Sequence, residues 1–181
     1  LGRLVLEKGL DIFAEVATEL TRRGVKHRIL VIGDGPARPW FAERVPDAVF
    51  TGFLSGDDLG RAVASMDILF NPSVTETWGQ VTSEAMAAGV PVVAAAVGGL
   101  PIAVVDGETG LLVPSHDPKE WADSLTQLLD DDPRRIAMGE AAVAHAARFS
   151  WTNTARELTE IYDEARQIPV PDCHQRRAKG D

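Results

Sequence analysis

The sequence predicts an α/β fold, a parallel sheet with helices on both faces. Two observations carry this. Short apolar runs alternate along the chain with stretches whose apolar residues recur at helical spacing. The runs themselves, such as Ile29-Leu30-Val31-Ile32, Ile68-Leu69-Phe70 and Val92 to Val97, are continuously apolar, as in strands covered on two faces. In such sheets ligands bind beyond the carboxyl ends of the strands. The Arg3 segment, the Gly33 turn, the Phe53-Leu54 turn, the Glu76 loop and the Gly98 loop should therefore collect at one rim.

Leu1-Gly2-Arg3 reads as the end of an element. Lys8 to about Arg22 is a helix, with Leu10, Phe13, Val16, Ala17 and Leu20 on one stripe and Gly24 closing it. His27 to Ile32 is a strand. Gly33-Asp34-Gly35-Pro36 is a tight turn, with Pro36 opening a short helix to about Val45. Ala48-Val49-Phe50 is a short strand, and Ser55 caps a helix from about Gly56 to Ser65. Asp67 to Phe70 is a strand, followed by a loop, a helix from about Gln80 to Ala88 and a strand from Val90 to Ala95. Gly98-Gly99 follows. The turn Asp106 to Gly110 leads into a last strand, Leu111-Leu112-Val113. The remainder is helical: a stripe of Trp121, Leu125, Leu128 and Leu129, an alanine-rich helix from about Pro133 to Arg148, and a helix from Trp151 capped by Ser150. The expected division is one domain over 1–168 and a disordered tail over 169–181.

The chain has 181 residues, enough for one domain with a real core. A net charge of −9 excludes a general nucleic-acid binder and gives no support to attachment to anionic lipid through the bulk surface. One cysteine, Cys173, excludes an internal disulfide framework and fits a reducing compartment, so the expected localisation is cytoplasmic. No apolar run reaches the ~18 residues that span a bilayer. Arg3, Glu7, Lys8 and Asp11 leave no room for a signal peptide. The chain also lacks an initiating Met, which reads as a piece of a longer sequence.

The loop between Phe70 and the next helix carries the chemistry. Thr77, Trp78 and Gly79 bring the chain to a helix start, where unpaired amides and the positive dipole end suit an anion. Glu76 stands on the loop and Glu84 on the helix. Carboxylates accept hydrogen bonds from vicinal diols, though a solvated loop residue and a carboxylate that favours the dipole remain the plain alternatives. Lys8 falls in the first turn of its helix, with Arg3 five residues earlier. The dipole disfavours a cation there by roughly 0.3–1 kcal/mol, a cost that a bound diphosphate reverses. The alternative is a pair of solvated cations with Glu7 as partner for Lys8. Gly33-Asp34-Gly35 lacks the six-residue glycine pattern of a phosphate loop and reads as a turn. Gly98-Gly99 either lets a ligand approach the backbone or simply joins strand to helix. Asp130-Asp131-Asp132 reads as a solvated turn. His27, His116, His145 and His174 lack metal-ligand spacing.

Taken together these residues resemble the retaining nucleotide-sugar glycosyltransferases of family four, which have two Rossmann-like domains in the GT-B fold. The Glu-x7-Glu motif is Glu76 to Glu84, within Glu-Thr-Trp-Gly-Gln-Val-Thr-Ser-Glu-Ala-Met-Ala-Ala-Gly-Val-Pro-Val-Val. Gly2-Arg3-Leu4-Val5-Leu6-Glu7-Lys8-Gly9, Gly33-Asp34-Gly35-Pro36 and Asp106 to Val113 also match the family's pattern. Val97 to Val104, His116-Asp117, Trp121-Ala122-Asp123 and Phe149-Ser150-Trp151 resemble the branch that transfers N-acetylglucosamine to inositol phosphate in mycothiol synthesis. The stretch from Gly52 to Glu76 is more similar to mannosyltransferases. Ile102 stands where many relatives have Glu, and Trp78 and Gln80 replace the frequent Phe and Leu.

The resemblance implies that this is the C-terminal, donor-binding half of the fold, with most of its central first strand missing. It implies transfer of a hexose or N-acetylhexosamine from a nucleoside diphosphate sugar such as a UDP- or GDP-sugar to an acceptor hydroxyl. No prosthetic group or metal is implied. Arg3 and Lys8 would hold the diphosphate and stabilise its departure, and Glu76 would bind a sugar hydroxyl. Gly2, Gly33 and the amides at Thr77, Trp78, Gly79, Gln80 and Val81 would line the donor. Glu84 would hold the ribose, and Phe53-Leu54 would face the base. An absent N-terminal domain would bind the acceptor and could touch a membrane peripherally; the piece alone would be inactive. A nucleotide-sugar 2-epimerase and a non-catalytic nucleotide-sugar sensor are the alternatives.

Overall fold

A computed structural model describes residues 1–114 and 116–168. The expected tail over 169–181 lies outside the described residues. The chain divides into two units, residues 1–147 and the residues from 148 onward.

In the first unit α-helices and strands alternate. A 3-10 turn at Leu6–Lys8 precedes α1 (Leu10–Arg22), with Gly9 in left-handed backbone between them. Lys8 therefore closes that turn and does not stand in the first turn of the helix, as its sequence position suggested. After α1 come β1 (Leu30–Ile32), α2 (Arg38–Arg44), β2 (Val49–Gly52), α3 (Gly56–Ala64) and β3 (Leu69–Asn71). Then follow α4 (Gln80–Ala87), β4 (Val92–Ala95), α5 (Leu100–Ala103), β5 (Gly110–Val113), α6 (Pro118–Leu129) and α7 (Asp132–Ala146). Pro36 lies in the turn before α2; it is Pro39 that occupies the first helical turn. Asp131, expected to be merely solvated, caps α7 by accepting from the Arg134 amide at 3.0 Å.

All strand pairs are parallel, but the expected single sheet is in two pieces, β1-β2 and β3-β4-β5. β4 is central in the larger piece and all four of its residues are buried, which is why Val92 to Ala95 carries no polar residue. Between β1 and β3 lies a cavity of about 550 Å³, lined by Leu1, Leu30, Leu69, Phe70 and Leu125 among others. An aromatic row crosses this interval. Phe41 meets Phe13 edge-on (5.3 Å between centroids), Phe13 lies 4.7 Å from Phe70, and Phe70 lies 5.3 Å from Trp121. Trp121, Val92, Val93 and Leu128 are fully buried, and each such side chain contributes about 1.5–3 kcal/mol.

The second unit contains α8 (Trp151–Gln167). Ser150 caps it by accepting from the Asn153 amide at 3.2 Å.

Candidate functional site

The site is built on the end of β3. Asn71, the strand's last residue, is buried and spends its amide on the loop that follows. Its Oδ1 accepts from the Ser73 amide at 3.2 Å, and its Nδ2 donates to Thr82 Oγ1 on α4 at 3.3 Å. Ser73 Oγ in turn donates to the Thr75 carbonyl at 3.1 Å. These buried polar groups tie the loop both to its strand and to the next helix. Sequence reasoning passed over them. Their signal was a polar residue at the end of an apolar strand and another on the inward face of the helix.

The loop enters α4 through Gly79, whose φ of +79° few other residues adopt. No side chain caps the helix start. Gln80 and Val81 in its first turn line a cavity of about 270 Å³ together with Gly2, Arg3, Lys8 and Glu76. Lys8 Nζ donates to Glu76 Oε2 at 2.9 Å, with the glutamate side chain 14% exposed and the lysine 40%. Glu7, the partner suggested for Lys8, instead approaches Arg3 (Nη2 to Oε1, 3.9 Å) on the surface.

The N-terminal segment runs beside the end of β1. The Gly2 amide donates to the Ile32 carbonyl at 2.8 Å and the Leu4 amide to the Asp34 carbonyl at 2.9 Å. A Cβ on Gly33 would overlap the Gly2 carbonyl oxygen, so only glycine lets these two backbones touch. The Gly33 amide donates to the Gly52 carbonyl at 2.8 Å, bringing in the turn after β2. There Phe53 is 80% exposed, while Leu54 packs on the core. Gly2 also faces Val81 of α4: a Cβ on it would lie 3.8 Å from Val81 Cγ1. Gly33, Gly2, Arg3, Lys8, Glu76 and the start of α4 thus form one continuous rim. Thr77 and Trp78 stand on the loop between Glu76 and Gly79, with the Trp78 side chain partly exposed.

Glu84 lies one turn further along α4 and does not line the smaller cavity. Burial pushes its carboxyl above the ordinary range. The site thus offers two cations and a helix start to an anion, and carboxylates to hydroxyl groups. Among the described residues no group of three or more His, Cys, Asp or Glu side chains could hold a metal ion, and no helix is long and apolar enough to cross a membrane.

Residues 1–131 match the family described as "Glycosyl transferases group 1". The D-inositol 3-phosphate glycosyltransferase of Corynebacterium aurimucosum is 49% identical, over 99% of this chain and 45% of its own length. The enzyme of the same name from Corynebacterium diphtheriae is 46% identical, over 90% of this chain and 34% of its own. The chain thus spans less than half the length of the curated relatives it matches. Among solved structures, HepE of Anabaena in complex with UDP and glucose superposes with a TM-score of 0.77 at 23% identity, covering 90% of this chain and 47% of that one.

Proposed function

The chain belongs to the glycosyl transferases of group 1, and we propose that it is the donor-binding half of a retaining enzyme that moves a hexose or N-acetylhexosamine from a UDP-sugar to an acceptor hydroxyl. The observation that carries this reading is the smaller cavity, where Arg3, Lys8 and Glu76 meet the uncapped start of α4. In the reaction the bond from the sugar's anomeric carbon to the diphosphate breaks with its electron pair going to the diphosphate, a bond to the acceptor oxygen forms, and the acceptor hydroxyl's proton passes to the departing diphosphate. Negative charge grows on the departing diphosphate. Fixed cations and backbone amides stabilise it without reorganising, which is where such sites gain most. Arg3 and Lys8 take the diphosphate, with the Thr77, Trp78, Gly79, Gln80 and Val81 amides beside it. Glu76 accepts from the sugar, and Glu84 from the ribose. Gly2 and Gly33 leave room for the phosphates, and the Phe53-Leu54 turn faces the base. The protein's own cations do this work, so no resident metal or prosthetic group is invoked.

The acceptor, an inositol phosphate by analogy with the corynebacterial relatives, is bound mainly by a further N-terminal domain. The length of the relatives, more than twice the matched region, supports that second domain. The sheet itself has an unfilled interval between β1 and β3. One more parallel strand there gives the order of a dinucleotide-binding sheet, with the missing strand in first place. By this reading 1–168 is a Rossmann-like domain with its first strand truncated, and the chain alone transfers nothing. The single cysteine supports a cytoplasmic setting.

The direct test is a thermal-shift panel of UDP-, GDP- and ADP-sugars. A ligand at about 100 times its dissociation constant adds ~2.7 kcal/mol, or ~5–11 °C for a chain of this size. The reading expects the UDP-sugars to give the largest shift. A flat response across the panel would contradict it.

A further inference from the structure

The loop after β4 rests on the Glu76 loop, backbone against backbone. The Gly99 amide donates to the Glu76 carbonyl at 3.1 Å. A Cβ on Gly98 would overlap that same carbonyl oxygen. One on Gly99 would overlap the Thr77 carbonyl oxygen and come within 3.0 Å of Trp78 Cα. Neither neighbour is a flexible side chain that could swing aside, so a side chain at either position forces one of the two loops to retreat. Glu76 is therefore held at both ends, its carbonyl by Gly99 and its carboxylate by Lys8. It is also the one ionisable side chain between Asn71 and Gly79. The Arg3 segment, by contrast, is fixed by β1 and its turn.

We propose that Gly98 and Gly99 are positioning residues: by seating the backbone of Glu76 and Thr77, they set how the Glu76 carboxylate meets the donor sugar, far more than how Arg3, Lys8 and the start of α4 grip the diphosphate. The proposal rests on the donor-site reading above. It makes the glycine pair a determinant of sugar recognition that never touches the ligand.

Backbone strain and contact are separable here. Gly99 has φ −83° and ψ −7°, which alanine adopts without cost. Gly99→Ala therefore perturbs the contact alone. Gly107 has φ +77° with nothing within 4 Å of a built Cβ, so Gly107→Ala brings strain without contact.

The experiment is calorimetric titration of wild type and both variants with UDP and with UDP-N-acetylglucosamine, alongside amide exchange over residues 72–79. Gly99→Ala is expected to keep UDP affinity within about threefold and to weaken the nucleotide sugar about tenfold, which is about 1.4 kcal/mol. It should also speed exchange in the loop. Gly107→Ala should do neither. Equal weakening of both ligands in Gly99→Ala, no change at all, or the same profile from Gly107→Ala would overturn the positioning role alone. A wild-type chain that binds neither ligand would overturn the donor reading, and this role with it.

Discussion

Lys8 and Glu76 neutralise one another across a separation of 68 positions. Each is proposed to touch a different part of the same ligand, so binding exchanges one partner for another. On that proposal a diphosphate oxygen would replace the carboxylate at Lys8 Nζ, and a sugar hydroxyl the ammonium at Glu76. Glu76→Gln should therefore release Lys8 and hold or improve affinity for free UDP while weakening the UDP-sugar. Lys8→Met should weaken both, by about 1.5–3 kcal/mol for a charge-assisted hydrogen bond. Titrations of the two variants decide this; parallel losses in both would refute the exchange. Glu76, Glu84, Lys8 and Arg3 were legible in the sequence as candidates, because they stand at marked positions of loop and helix. It did not show that Lys8 pairs with Glu76 rather than Glu7. That contact depends on how the 3-10 turn, the loop and the helix start meet in space, and no local pattern encodes it. The glycine pair is a similar case. Its conformational freedom was legible, but the backbone that makes use of it comes from a distant loop.

At the level of elements, helices with wide apolar stripes were legible and short pieces were not. α1 and α6 announced themselves through Leu20, Trp121, Leu125 and Leu128, all buried. α5 did not, because four residues with Pro101 in the first turn show no periodicity. β1 is shorter than its apolar run because strand length is set by ladder partners as well as by side chains. α1 and α6 are also joined by charge: Arg23 pairs with Asp123 and with Glu19, and Glu19 takes Arg22 as well. Hydrogen bonds from Arg22 and then Arg23 hold the Glu19 carboxyl down at about 2. A depressed carboxyl contributes stability above its unfolded pKa, near 4.3, and loses it as pH falls through the folded value. Acid unfolding of the wild type should thus steepen between about pH 4.3 and 2. Glu19→Gln should flatten that limb; identical acid limbs for the two proteins would argue against the cluster.

At the scale of the molecule the alternation of strand and helix was readable, and the parallel pairing with it. The interruption of the sheet was not legible in the strands themselves, since each looks complete in its own sequence; the family resemblance alone implied a missing central strand. The Gly2 and Leu4 amides already run in step with the Ile32 and Asp34 carbonyls. That direction fits a parallel strand arriving between β1 and β3. Extending the chain ahead of Leu1 by about five apolar, β-branched residues should raise Tm and protect the amides of β1 and β3, whereas an extension containing proline should not. Equal Tm for the two extensions would count against a strand in that interval.

The central claim, that a nucleoside diphosphate sits at the start of α4 between Arg3, Lys8 and the two glutamates, is tested most directly by following backbone amide resonances during a titration with UDP. The account predicts that the largest shifts fall on Gly2, Arg3 and residues 77–81, and that Glu84→Ala weakens the titration. Shifts gathered instead around the larger cavity at Leu30, Leu69 and Leu125, with Glu84→Ala titrating like wild type, would contradict it.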